Sequence, residues 1–153
     1  MTHPVIHKSF TIERTYPTSA ERVFRALSDP EKKRRWFAEG DGFVVDDYSL
    51  DFRVGGFERT RFRFREGPPM TTDCVYLDII KNQRLVFAYS MTVAGEPLSS
   101  SLGTMELLPE SGSTLLRLTE HTAFVDGNDG SEGRREGSLG LLDALAAELA
   151  AHP

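Results

Sequence analysis

The chain has little cysteine. Cys74 is the only one among 153 residues, so no internal disulfide and no cysteine-based zinc site are expected, and a reducing cytoplasm is the expected compartment. Long apolar runs are also missing. The longest are a few residues, far below the roughly 20 that a membrane span requires. Met1-Thr2-His3-Pro4 has no basic cluster and leads into no apolar block, so no secretory signal is expected. Basic charge is in deficit: 18 Lys and Arg stand against 23 Asp and Glu, giving a net charge of −5. That balance argues against nucleic acid as a partner. Histidine is scarce, with His3, His7 and His152 near the ends and His121 alone in the interior. No H-x-H or H-E-x-x-H spacing occurs, so no metal site and no cofactor are expected. Ser99-Ser100-Ser101 lacks a nucleophile elbow, and no glycine loop of the phosphate-cradling kind precedes a helix.

What is present fits one soluble domain over residues 1–153, with its core at about 9–150. Hydrophobic residues make up 39% and charged residues 27%, ordinary values for a globular chain. The charge is uneven, net +3 over residues 1–65 and net −8 over 66–153. Residues 9–16 are rich in β-branched and aromatic types, with Phe10, Ile12 and Tyr16 on one face at period two, which predicts a strand. After Pro17, Thr18-Ser19-Ala20-Glu21 has the form of a capping box with Thr18 as cap. Ala20, Val23, Phe24 and Leu27 then mark an amphipathic helix. Asp29-Pro30 starts a second short helix running to about Phe37, its exposed side expected at Lys32, Lys33, Arg34 and Arg35.

From Phe43 to Thr122 the pattern is β. Strands are predicted at 43–52, 57–65, 72–80, 84–93, 100–108 and 113–122, separated by turn chemistry such as Gly55-Gly56, Gly67-Pro68-Pro69 and Gly95-Glu96-Pro97. Short links favour consecutive antiparallel strands. Residues 125–137, rich in glycine and acids, read as a loop. From about Ser138, Leu142, Leu145 and Leu149 predict a helix of about three turns. Such a helix is the natural cover for the apolar face of the sheet.

The order of strand, two short helices, six strands and long helix resembles the helix-grip arrangement of the START or SRPBCC superfamily, which includes the birch-pollen-allergen-like proteins. Local residues carry the resemblance further. Phe24 to Leu27, Asp29-Pro30 and Trp36-Phe37 resemble that family's helix, Asp-Pro and aromatic-pair pattern. Asp51-Phe52-Arg53-Val54-Gly55-Gly56 is similar to the D-x-R-x-G-G turn of the activator of heat-shock-protein-90 ATPase homologue-like family, and Arg84-Leu85-Val86-Phe87 to its R-L-V-F strand start. Thr119-Glu120-His121-Thr122-Ala123-Phe124, with Asp126-Gly127 and Arg135-Glu136-Gly137, is similar to the last strand and the approach to the last helix. The resemblance implies an α+β fold in which a curved seven-stranded antiparallel sheet wraps a long C-terminal helix, with two short helices between strands 1 and 2. It also implies an apolar cavity between sheet and helix, as in a bacterial-type single domain. The eukaryotic activator is similar only in its second domain, and residues 1–8 leave no room for the larger domain that precedes it there, so chaperone activation is not expected to carry over.

Each candidate residue has a bland reading beside the functional one. Trp36 and Phe37 either line a cavity mouth or anchor the helix pair. Phe62 and Phe64 are expected to point inward, opposite Arg59, Arg61, Arg63 and Arg65. That arginine ladder could bind an anion, but neutralisation by Asp46, Asp47, Asp51, Asp73 and Asp78 on neighbouring strands is the preferred reading. Leu85, Phe87, Tyr89 and Met91 form one strand face, and Tyr48, Tyr76 and Tyr89 could offer hydroxyls to a ligand. His121 and Glu120 are adjacent in a strand, so they face opposite sides and cannot act together. Asp126, Asp129 and Glu132 fail the calcium-loop spacing. Gly55-Gly56 is read as a positive-φ turn. The leading expectation is a non-enzymatic domain that binds a small hydrophobic or aromatic molecule through Trp36, Phe37, Phe62, Phe64, Tyr89, Leu142 and Leu145, with no catalytic residue assigned. The alternatives are a cavity enzyme, such as a cyclase, dehydratase or hydrolase acting on an aromatic or polyketide-like substrate, and a protein-interaction module, such as a chaperone ATPase cofactor or a homodimer.

Overall fold

The computed structural model describes residues 3–39 and 42–153. Met1 and Thr2, part of the stretch read for a signal, lie outside the described residues. Seven strands form one sheet: β1 (Ile6–Tyr16), β2 (Val44–Leu50), β3 (Phe57–Arg63), β4 (Met70–Ile80), β5 (Arg84–Val93), β6 (Glu96–Glu110) and β7 (Ser113–Phe124). Their order is β1-β7-β6-β5-β4-β3-β2, and every neighbouring pair is antiparallel. Between β1 and β2 stand α1 (Ala20–Ser28), α2 (Pro30–Lys33) and a π-helical turn (Arg34–Ala38), and α3 (Ser131–Ala151) closes the chain. This is the helix-grip α+β fold expected from the order of elements. None of the described helices is long and apolar enough to cross a membrane.

Bulges interrupt the register of three strand pairs. After inward Tyr76, 3% exposed, and outward Leu77, 48% exposed, the bulge between Tyr76 and Asp78 resets the alternation, so that Ile79 rather than Asp78 packs against the core. Two further irregularities lie at Val45/Asp47 and Met91/Thr92. The inner face carries Ile12, Tyr16, Cys74, Tyr76, Leu85, Leu107, Leu116 and Leu118 against Leu142, Leu145 and Leu149 of α3. Gly103 lets the sheet pack closely there, because a Cβ on it would lie 2.5 Å from the Phe87 ring.

Four local readings are corrected. The cap of α1 is Ser19, whose Oγ accepts from the Arg22 amide at 3.2 Å; Thr18 instead accepts from the Arg22 guanidinium. The final helix begins at Ser131 and has 21 residues, so much of the predicted 125–137 loop is helical. The glycine penalty of about 0.5–1 kcal/mol per position is offset by anchoring of its first turn. Asp129 accepts from the Ser131 amide at 2.9 Å, and Arg134 bonds to the sheet. Lys33, placed on the exposed side from sequence, is 6% exposed because a carboxylate waits beneath it. At the hairpin, only Gly55 has a positive φ, +83°; Gly56 is required because a Cβ there would lie 2.0 Å from the Asp51 carbonyl oxygen.

Three of the four ladder arginines are neutralised across strands, by Asp73 and Asp46; Arg65, past the end of β3, has no ion pair among the described residues, and Asp51 and Asp78 pair with Arg53 and Arg84 instead. Arg61 meets Asp73 at 3.0 Å, Arg59 meets it at 3.7 Å, and Arg63 meets Asp46 at 3.4 Å. Arg53 pairs with Asp51 at 2.8 Å. Arg35 of the π turn grips Glu148 of α3 through both carboxylate oxygens, at 3.1 and 2.6 Å, and Arg22 reaches the Leu149 carbonyl at 3.2 Å. These contacts hold the helix pair against the C-terminal half of α3.

Candidate functional site on the inner face of the sheet

Strand alternation sets the site. On β7 the inward positions run Leu116, Leu118, Glu120, Thr122 and Phe124, and on β3 they include Glu58 and Thr60. Two carboxylates therefore stand on a face otherwise made of carbon and hydroxyls. Burying a carboxylate without partners is costly, so each should have gathered a cluster.

Glu58 has gathered a closed one. Its side chain and that of Lys33 are 6% and 7% exposed, with Nζ 3.2 Å from the carboxylate. Tyr76 donates its hydroxyl to Oε1 at 2.8 Å, and Tyr48 donates to Oε2 at 2.5 Å. Lys33 Nζ also lies 4.5 Å from the Phe37 ring centre and 5.5 Å from that of Trp36. Burial, and then the Glu58 charge, push both phenols far above their usual range. The same causes push the Cys74 thiol up to about 12, which leaves it protonated and unreactive. Both Glu58 oxygens are occupied. The cluster ties α2 and the π turn to β2, β3 and β4.

Glu120 has gathered an open one. It is 4% exposed, and Tyr89 donates to its Oε1 at 2.6 Å. Arg134, reaching in from the first turn of α3, donates to the Tyr89 hydroxyl at 3.1 Å, to Ser101 Oγ at 3.3 Å and to Ser99 Oγ at 2.8 Å. Its guanidinium lies 5.7 and 5.3 Å from the ring centres of Tyr89 and Phe124. Ser101 in turn bonds Thr122 at 2.8 Å. Burial raises the Glu120 pKa from its ordinary value, and the Tyr89 bond and Arg134 charge oppose that shift only in part. A guanidinium has five N–H donors; three are used here, all on neutral oxygens.

The residues read from sequence as ligand contacts fall into three places. Trp36, Leu142 and Leu145 lie in the core, 6%, 1% and 0% exposed, and the Trp36 indole donates to the Ala26 carbonyl at 2.9 Å. Phe37 and Tyr89 are half-buried on the inner side, Phe37 with its ring centre 6.2 Å from Tyr48. Phe62 is half-buried at the end of β3, where it forms an edge-on trio with Phe43 and Phe64; Phe64 lies past the strand end and is 54% exposed. The three tyrosines picked as hydroxyl donors, Tyr48, Tyr76 and Tyr89, all turn inward and all meet a glutamate. His121 is exposed, on the outer face.

Sequence reasoning missed Lys33, Glu58, Glu120 and Arg134 as site residues. A signal for Glu120 existed: one acid interrupts the apolar period-two run from Leu116 to Phe124. The inward strip of β3, β4 and β5 is only partly covered. Phe62, Met70, Thr72, Tyr89 and Met91 are half-buried along it, and Thr60, 5% exposed, has a hydroxyl with no hydrogen-bond partner among the described residues. Two surface pockets, of about 30 and about 480 Å³, lie elsewhere, at the C-terminal end of α3 and beside His3 and Pro97.

A family model described as "Activator of Hsp90 ATPase homolog 1-like protein" matches residues 17–150. Among solved structures, the Mll3558 protein of Rhizobium loti is 51% identical, covering 95% of this chain and 99% of its own, with a TM-score of 0.89. A protein of Rhizobium leguminosarum is 37% identical over 97% of this chain and 98% of its own, with a TM-score of 0.93. Protein CV1439 of Chromobacterium violaceum is 26% identical over 92% and 96%, with a TM-score of 0.76. No curated protein matches the chain.

Proposed function

The chain belongs to the activator of Hsp90 ATPase homolog 1-like family, and from the inner face of its sheet we propose that it binds a small, largely apolar or aromatic molecule between β3–β5 and the helices α3 and α2 with its π turn. The observation that carries this reading is the partly covered inward strip. Phe37, Phe62, Tyr89 and Met91 are half-buried where the neighbouring strands β6 and β7 are sealed against α3. A ligand laid along the strip removes that surface from water, at roughly 25 cal/mol per Å² before the costs of association. A polar group at one end of the strip, the Arg134 guanidinium, would orient it, as few polar groups do in apolar sites. Trp36, Leu142 and Leu145 form the wall behind the strip and Phe64 its outer rim.

Native mass spectrometry of the gently purified protein, compared with the denatured chain, tests the proposal. The expected result is a co-purifying small molecule, or a rise in melting temperature on adding members of a lipid and aromatic library. A consistently bare chain with no thermal shift across the library would refute it.

A further inference from the structure

We propose that Glu120, Tyr89 and Arg134 form a proton-transfer site that enolises a carbonyl compound held on the inner face; this rests on the ligand-binding reading above. The two buried carboxylates of the sheet differ in how they are partnered. Glu58 has both oxygens engaged, by Lys33, Tyr48 and Tyr76. Glu120 has one engaged, Oε1, by Tyr89. Its second oxygen takes no hydrogen bond from any described residue and is not among the fully buried unpartnered oxygens, so it is the atom of this largely buried side chain that a bound molecule can reach. A buried carboxylate with a free oxygen is a base whose proton affinity has been raised, and burial does raise it here.

The second half of the site is the donor. Arg134 is pinned by Ser99, Ser101 and Tyr89 and braced by the faces of Tyr89 and Phe124. Its Nε–H and one Nη2–H carry no partner among the described residues. Donors fixed in advance by the protein stabilise a developing oxyanion. The Tyr89 oxygen lies within hydrogen-bond distance of both Glu120 and Arg134, so base and donor are held side by side by one phenol. No activated nucleophile joins them: Ser99 and Ser101 accept from Arg134 without a base, and Cys74 is held protonated. A single base beside a single oxyanion donor is suited to removing a proton from carbon next to a carbonyl.

The step balances without a further reactant. Glu120 Oε2 takes the α-proton. The C–H electron pair becomes the C–C π bond, the carbonyl π pair moves to oxygen, and the enolate oxygen accepts from Arg134. Return of the proton from Glu120, to the same carbon or to the far end of a conjugated system, gives exchange or isomerisation. The aromatic strip favours a ketone that carries an aromatic ring on or next to its α-carbon or carbonyl as the substrate class.

The test uses the full chain with 2-tetralone, 1-indanone and phenylacetone in D₂O. Saturation-transfer NMR reads binding, and loss of the α-proton signals reads exchange. The expected result is binding, with exchange above buffer that rises with pH as Glu120 ionises. Glu120→Gln should bind the ketone and lose about 100-fold or more of the exchange rate, the usual scale of a general base. Tyr89→Phe, a positioning change, should move the midpoint of the pH–rate profile upward by removing the bond that favours the carboxylate. Binding without exchange above buffer, or with Glu120→Gln exchanging as fast as the parent, overturns the proton-transfer site and leaves the binding reading standing. Absence of binding by all three ketones overturns the substrate class, and with it this inference; the library screen then decides the binding reading by itself.

Discussion

Replacing Lys33 by methionine should destabilise the fold by about 3–5 kcal/mol, the usual cost of leaving one member of a buried ion pair alone. The geometry sets the scale. At the Nζ to carboxylate separation of 3.2 Å, two unit charges attract by about 5 kcal/mol at an effective dielectric of about 20. With both side chains about 94% covered, water screens little of it. Exposed pairs such as Arg25–Glu21, with side chains 57% and 62% exposed, contribute roughly 0–1 kcal/mol. Methionine keeps most of the lysine stem that packs under Trp36 and Phe37, so the loss isolates the charge. In a chain of this length each kcal/mol moves the melting temperature by about 2–4 °C, so a fall of about 6–20 °C is expected. Urea denaturation of Lys33→Met, Glu58→Gln and the double variant gives the coupling. The double variant should recover at least about 1 kcal/mol relative to the sum of the singles, because a glutamine amide needs no counter-ion. Additivity of the two singles within about 0.5 kcal/mol would refute the reasoning.

Three other outcomes follow from the same physics. Ser19→Ala should cost about 1 kcal/mol in urea denaturation by removing the α1 cap. Cys74, 8% exposed and with its thiol pushed up to about 12, should resist a thiol reagent such as DTNB at pH 8 in the folded protein and react fully in denaturant; fast labelling of the folded chain would contradict its burial. Glu120 binds its proton more tightly when folded than when unfolded, so the folded state holds more protons and stability falls as pH rises from the unfolded carboxylate value of about 4.3 through the higher folded one. Glu120→Gln should flatten that part of the stability–pH curve, and an unchanged slope would count against the raised affinity.

The fold was legible because its signals are local. Period-two runs, turn residues and the Leu142-Leu145-Leu149 stripe each report burial of one face, and α3 can cover the sheet in few ways. Its true start was not legible. Gly133 and Gly137 argue against helix, and the first turn is held by Arg134 bonding to Ser99 and Ser101, more than 30 residues away in the chain. Lys33 was hidden for a similar reason. It lies three and four residues before Trp36 and Phe37, on the apolar side of its helix, but amid Lys32, Arg34 and Arg35 it reads as one more solvated charge. Only the β3 carboxylate opposite makes it an inward residue. The ligand contacts read from sequence were all carbon-rich, since aromatic residues announce themselves by type, whereas a buried acid is revealed by the faces of its neighbours.

The two glutamates stand at opposite ends of the inner face and are partnered in different ways. Both stand on inward positions, and both take a bond from a tyrosine whose ionisation burial suppresses. They differ in what the helices deliver to them. The α2 end supplies Lys33, an ammonium that meets the Glu58 carboxylate directly; charge is neutralised in place, and the result is a clasp. The α3 end supplies Arg134, which meets the Tyr89 hydroxyl instead and stands beside the Glu120 carboxylate without quenching it. A fold selected for stability alone gains more from the first arrangement, because a largely buried charge with no cation in direct contact is a cost. Local features that lower stability, where the same chain shows how to satisfy them, are the ones expected at working sites. The Glu120 end of the inner face is therefore where a bound molecule should meet its chemistry, and the Glu58 end is what keeps the helices in place around it.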